Sequence, residues 1–122
     1  MADVRRTRTS QAHDEPLYVI SVAARMVNLH PQTLRTYEEL GLVKPARSAG
    51  NVRLYSIADI ERVRQIQRLT DELGVNLAGV EVVMGLRDRM QKMQDEMGQL
   101  IERYEEKLRA AGLEVEPPTF DK

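Results

Sequence analysis

Between Ser21 and Val43 the chain is punctuated so closely that few folds can accommodate it. After Ser21, a residue type that caps helix N-termini, Val22, Ala23, Met26 and Val27 recur at helical spacing until Asn28-Leu29-His30 interrupts them. Pro31 suits the first position of a new helix, where its missing N–H has no helical partner to lose. Gly41 then offers the left-handed conformation that ends a helix. The pattern predicts a first helix of about two turns and a second over roughly Pro31 to Leu40, with Leu34, Tyr37 or Glu38, and Leu40 on its inner side. Two helices joined by about three residues, with a leucine buried in the turn, make a helix-turn-helix.

The next segment, Leu42 to Tyr55, places Pro45, Gly50 and Asn51 between two β-favouring ends, Leu42-Val43 and Val52-Arg53-Leu54-Tyr55. A two-stranded ribbon with a polar tip bearing Lys44, Arg47, Ser48 and Asn51 is expected, which is a wing beside the helix pair. Ser56 followed by Asp59 is a cap with an acidic residue three positions on. It opens a helix through Ile57, Ile60, Val63, Ile66 and Leu69 that Gly74 ends. Asn76 can cap another short helix, Leu77 to about Gly85, with Val80, Val83 and Met84 inward.

Beyond it, Leu86, Met90, Met93, Met97, Leu100, Tyr104 and Leu108 follow steps of 4, 3, 4, 3, 4 and 4, close to the seam of a coiled coil, with charged residues on either side. Some 24 helical residues would span about 36 Å. So narrow an apolar stripe on so long a helix needs a partner, and the same helix of a second copy is the simplest one. The fold class expected is therefore mainly α: a winged helix-turn-helix DNA-binding domain over residues 17–85, then a dimerisation helix over 86–111 in an antiparallel coiled coil. A basic arm, 1–16, and a tail, 112–122, are expected to be flexible.

Charge separates along this plan. Residues 1–70 hold 11 Lys or Arg against 7 Asp or Glu, and residues 71–122 hold 7 against 12. Positive charge thus gathers where phosphate would be met. The chain has no cysteine and two histidines, His13 and His30, so disulfides, thiolate clusters and an unaided histidine metal site are excluded. No metal or cofactor is expected. Neither a membrane span nor a signal peptide can be read, so a cytoplasmic protein is expected. No nucleophile-base pairing or phosphate-binding glycine loop points to an enzyme.

On the second helix, His30, Gln32, Thr33, Arg35, Thr36 and Tyr37 are the candidate DNA contacts. Arg35 can make a bidentate contact to a guanine or clamp a phosphate, Gln32 can pair with adenine, and Thr33 can meet a thymine methyl or a phosphate. His30 is either a phosphate donor or a turn residue, and Tyr37 can pack its ring inside. On the wing the candidates are Lys44, Arg47, Ser48, Asn51, Arg53 and Tyr55, the last two supporting the ribbon as well. Glu38 has the wrong sign for phosphate and is expected to orient an arginine. Arg5, Arg6 and Arg8 of the arm can reach phosphates or a minor groove. Of Arg62, Arg64 and Arg68, one is expected at the DNA backbone.

Tyr18-Val19-Ile20-Ser21-Val22-Ala23-Ala24, Thr33-Leu34-Arg35-Thr36-Tyr37-Glu38, Gly41-Leu42-Val43, Arg47, Arg53-Leu54-Tyr55-Ser56 and Asp59 together resemble the DNA-binding domain of the MerR family over about Leu17 to Leu86. Leu34-Arg35-Thr36-Tyr37 and the run from Asp71 to Val80 resemble the heat-shock repressors within it. Thr36, where the wider family commonly has a second aromatic, and a ribbon tip one residue longer are departures. The resemblance implies a repressor of chaperone genes that binds an inverted repeat of double-stranded DNA as a homodimer, with a DnaK-type chaperone as co-repressor. The tail is then either a loose end or a peptide that a chaperone grips. The alternatives are a small-molecule-responsive activator of the same family and a chaperone-modulating adaptor that does not bind DNA.

Overall fold

A computed structural model describes residues 12–114 and residue 116; Arg5, Arg6 and Arg8 lie outside the described residues. The elements run β1 (Tyr18–Val19), α1 (Ile20–Val27), α2 (Pro31–Glu39), β2 (Ala46–Arg47), β3 (Arg53–Tyr55), α3 (Ile57–Gln67) and α4 (Leu77–Ala110). They divide into two compact units, one ending at Met84 and the other beginning at Gly85.

In the first unit, β3 is the middle strand of a three-stranded antiparallel sheet, β1-β3-β2, with Tyr18 opposite Tyr55, Val19 and Ala46 opposite Leu54, and Arg47 opposite Arg53. Sequence periodicity did not disclose β1, and β1 explains why α1 begins early. Pairing with β3 keeps Val19 extended (φ −68°, ψ 159°), so Val19 is the N-cap residue, with no side-chain cap, and Ser21 is already in the first turn rather than capping it. The buried face of α1 is also rotated from that expected. Ala23, Ala24 and Val27 face the core, whereas Val22 and Met26 are each 38% exposed. Asn28 takes the left-handed conformation (φ 54°), and the N–H of Leu29 returns to the Ala24 carbonyl at 2.9 Å, closing the helix.

Helix α2 is bounded as its punctuation requires. Pro31 opens it behind His30, and Gly41 (φ +74°) closes it, with Leu42 N–H donating to the Tyr37 carbonyl and Gly41 N–H to that of Glu38, both at 2.9 Å. Leu34 and Tyr37 are buried. Leu40 is not on the inner side; it lies beyond the last helical residue and is 40% exposed.

The ribbon is shorter than expected. Leu42, Val43 and Pro45 are buried on the way out of α2, and the strand starts only at Ala46. Pro45 has no N–H for a ladder, and the Leu42 carbonyl accepts from Arg62 Nε, so neither residue can pair as a strand there. At the tip, Ser48 N–H donates to the Val52 carbonyl at 2.9 Å and Asn51 N–H to the Ser48 carbonyl at 2.8 Å, with Asn51 left-handed at φ 62°. This is a three-residue hairpin loop in which the residue after the turn must tolerate positive φ, as asparagine does.

Ser56 and Asp59 form the expected reciprocal cap of α3: Asp59 N–H donates to Ser56 Oγ at 3.0 Å, and Ser56 N–H to Asp59 Oδ2 at 2.9 Å. Ile60, Val63 and Ile66 bring α3 into the core, and Gln67 Nε2 ties it to the last carbonyl of α1, that of Val27. The helix widens into a π-turn over Arg68–Glu72 before Gly74 (φ +65°) ends it. Asn76 Oδ1 accepts from Gly79 N–H at 2.8 Å, capping the next helix, whose Val80 and Met84 complete the core.

That helix does not stop near Gly85. Residues Leu77–Ala110 form one helix of 34 residues, about 51 Å long at 1.5 Å per residue. A glycine inside a helix costs only about 1 kcal/mol, too little to terminate one without a capping geometry. In the second unit, Leu86, Met90, Met93, Met97, Leu100, Tyr104 and Leu108 are all exposed, from 40% at Leu108 to 67% at Met93. Met90, Met93, Met97 and Ile101 line a shallow apolar groove with Gln94 and Gly98, and Ile101 was not among the residues read from the sequence.

Candidate nucleic-acid interface

The second helix begins with a histidine whose chemistry is set by its place in the fold. His30 Nδ1 accepts the N–H of Gln32 at 3.0 Å, serving as the N-cap acceptor. In the neutral ring an accepting Nδ1 leaves the proton on Nε2, so the remaining polar atom of His30 is a donor at the positive end of α2. Both readings of His30, as turn residue and as phosphate donor, are compatible with this one geometry.

Gln32 is exposed, and Thr33, Arg35 and Thr36 are half-buried. Gln32 Oε1 accepts a long contact from Arg35 Nη1, 3.5 Å, and the Gln32 carbonyl accepts from Thr36 Oγ1 at 3.0 Å. A 3.5 Å hydrogen bond is weak, so Arg35 gives up little when it turns to another acceptor. Gln32, Arg35 and Thr36 thus form a polar cluster at the N-terminal end of the helix, the end that enters a groove in helix-turn-helix recognition.

The two tyrosines fall elsewhere. Tyr37 is 6% exposed and Tyr55 is fully buried, so their rings belong to the core and Tyr55 is not available as a DNA contact. The reason is positional: Tyr37 is one turn on from buried Leu34, and Tyr55 lies opposite Tyr18 in the middle strand. Burial pushes both phenols above their ordinary range; the charge of Asp71 adds to the effect at Tyr37 and that of Glu38 at Tyr55. The Tyr55 hydroxyl has no hydrogen-bond partner among the described residues.

The ribbon is held to α2 through one carboxylate. Glu38 Oε1 and Oε2 accept from Arg47 Nη2 at 3.1 and 3.2 Å, and Oε1 accepts from Arg53 Nε at 2.6 Å. Arg47 Nη1 also donates to the Asn51 carbonyl at 3.3 Å. The hydrogen bond to Glu38 raises the already high pKa of the Arg53 guanidinium. Sequence reading expected Glu38 to orient an arginine; the structure gives it two, one from each strand of the hairpin. Nothing in the spacing announces this, because α2 and β3 are brought together only by the buried segment between them.

Ser48 and Asn51, expected as tip contacts, build the turn: Ser48 Oγ accepts Val52 N–H at 3.2 Å, and Asn51 supplies the left-handed residue. Lys44 is exposed ahead of the ribbon. Arg62 is engaged with the Leu42 carbonyl, while Arg64 and Arg68 line a mixed-charge surface with Gln67, Asp71 and Glu72. His13, from the segment expected as a flexible arm, lies 2.9 Å from Glu61 of α3 through Nε2, and Leu17 N–H donates to the Tyr55 carbonyl at 3.2 Å. Among the described residues no cluster of His, Asp or Glu could hold a metal ion, and no helix is long and apolar enough to cross a membrane.

Residues 18–86 match the family described as MerR HTH family regulatory protein. The chain is 47% identical over 96 residues to a Streptomyces coelicolor protein that carries the name heat shock protein HspR, covering 79% of this chain and 64% of that one. It is 36% identical over 73 residues to the HTH-type transcriptional regulator GlnR of Bacillus cereus, covering 60% and 56%. The chain therefore spans somewhat under two thirds of the length of these relatives. In fold it is similar to a MerR-family transcriptional regulator from Bacillus cereus, with a TM-score of 0.51, 21% identity, and 83% and 87% of the two chains covered.

Proposed function

Given that the chain belongs to the MerR HTH family of regulatory proteins, we propose that it is a sequence-specific DNA-binding transcriptional repressor of heat-shock and chaperone genes. Two copies bind an inverted repeat, each placing the start of α2 in a major groove and the β2–β3 hairpin, as a wing, against the adjacent backbone. The copies associate through the exposed apolar stripe of α4 in an antiparallel coiled coil, which gives the two-fold symmetry an inverted repeat requires. The observation that carries the reading is the Glu38 junction: it fixes a basic hairpin at the side of a helix whose exposed start bears Gln32 and Arg35. The heat-shock assignment is supported by the 47% identity to the HspR protein.

In this scheme a DnaK-type chaperone is the co-repressor. Linkage requires that it bind the DNA-bound form more tightly than the free form, so that loss of chaperone to unfolded protein loosens the repressor. A cytoplasmic location follows from the same role.

Genomic footprinting before and after heat shock tests the reading. The expected result is an inverted repeat upstream of chaperone genes, occupied before and vacated after. On that duplex, Arg35→Ala is expected to cost roughly 1 to 3 kcal/mol at one base position, with much less effect on a scrambled duplex. Equal loss on both would remove Arg35 from base reading. A gel-shift titration in which added chaperone leaves operator affinity unchanged would refute the co-repressor part.

A further inference from the structure

We propose that Glu38 is a specificity-determining residue that competes with DNA phosphate for Arg47 and Arg53, holding down affinity for random sequence; the inference rests on the DNA-binding reading above. Glu38 makes no favourable contact with DNA itself, since a carboxylate and a phosphate repel. Its effect is exerted through the two arginines it holds, at 3.1 and 3.2 Å to Arg47 and 2.6 Å to Arg53.

The Glu38 side chain is 20% exposed, that of Arg53 25% and that of Arg47 38%. The Arg53 pair is therefore partly shielded from water, and its attraction exceeds that of a fully exposed ion pair. Two cations sharing one anion leave the junction with a single net positive charge. A duplex approaching it thus has one phosphate neutralised where two free arginines would neutralise two.

The clamp also restricts geometry. Arg47 is fixed at two points, to Glu38 and to the Asn51 carbonyl, and Arg53 through Nε. Arginines fixed relative to α2 meet phosphates in the one register where α2 lies properly in its groove. Released arginines, with long flexible stems, can follow phosphates in any register. Freeing them therefore strengthens random-sequence binding more than binding to a selected site, and discrimination falls.

The test is the full-length Glu38→Gln variant, with thermal unfolding as a check on folding, measured on a random-sequence duplex across a salt series. The expected result is affinity for that duplex raised about fivefold at low salt, with the slope of log affinity against log salt steeper by about 0.9 per protomer. Sites selected from a random pool should be less sharply defined for the variant than for the parent. The double variant Glu38→Gln, Arg47→Gln keeps Arg53 and the same net charge as the parent junction, so its slope should equal the parent's. If Glu38 only buttresses the fold, Glu38→Gln lowers affinity on random and selected duplexes alike without steepening the slope. In that case the double variant is shallower by about 0.9, and the inference is overturned. Parent protein that binds no duplex in a salt-dependent way overturns the DNA-binding reading and this inference with it; parent binding with an unchanged Glu38→Gln slope overturns the inference alone.

Discussion

At the scale of single residues, the candidate interface separates side chains that are free to change partners from those already committed. Among the described residues Arg35 has only the long contact to Gln32, whereas Ser48 Oγ is engaged in its own turn and Tyr55 lies in the core. Tyr55, like Tyr37, is also a residue with a pH signature. A phenol whose pKa is raised in the folded state holds its proton more tightly there than in the unfolded chain. Its contribution to stability is fully present below the unfolded value near 10 and is lost as pH rises through the folded one. The thermal midpoint should therefore be insensitive to this group below about pH 9 and fall above pH 10. Tyr55→Phe should flatten that fall and, because the hydroxyl has no hydrogen-bond partner among the described residues, cost little stability at pH 7. An alkaline absorbance titration of the folded protein in which Tyr55→Phe loses one tyrosine's amplitude near pH 10 would place the phenol in water instead.

At the scale of elements, the termini carry the information. The reciprocal Ser56 and Asp59 cap was readable because both hydrogen bonds are local, made between residues three apart. Ser56→Ala should destabilise the domain by about 1 kcal/mol in denaturant unfolding, with the urea slope unchanged; a negligible loss would mean that packing alone starts α3. The start of α1 could not be read in this way. Ser21 has the right chemistry for a cap, but the pairing of Tyr18 and Val19 with Tyr55 and Leu54, some 36 residues away in sequence, delivers the chain to the helix one residue before Ser21. The ribbon shows the same contrast, since its turn is local while its first strand is displaced by the burial of Leu42 and Val43.

At the scale of the molecule, the apolar stripe of α4 from Leu86 to Leu108 leaves seven large side chains exposed along one helix. Covering such side chains contributes about 25 cal/mol per Å² of apolar area, enough to hold two long helices together when the stripe is continuous. Replacing Met93 and Met97 together by Lys should turn a dimer into a monomer in analytical ultracentrifugation. The fold of residues 17–84 should survive, because the core there is supplied by Leu34, Tyr55, Ile60, Val63, Ile66 and Val80. Binding to an inverted repeat should fall far more than binding to a half-site. A double variant that still sediments as a dimer would mean that the stripe is not the interface.

What could be read directly from the order of residues was everything whose cause lies within a turn or two of chain: the helix-turn-helix punctuation at His30-Pro31 and Gly41, the caps at Ser56 and Asn76, and the period of the apolar stripe. Propensity, capping and periodicity act over short separations, so sequence spacing expresses them in full. The third strand, the burial of Tyr55 and the sharing of Glu38 by two arginines were decided only in three dimensions. Each depends on which distant segments the core brings together, and a carboxylate nine and fifteen residues away from its partners carries no local sign that it will meet them.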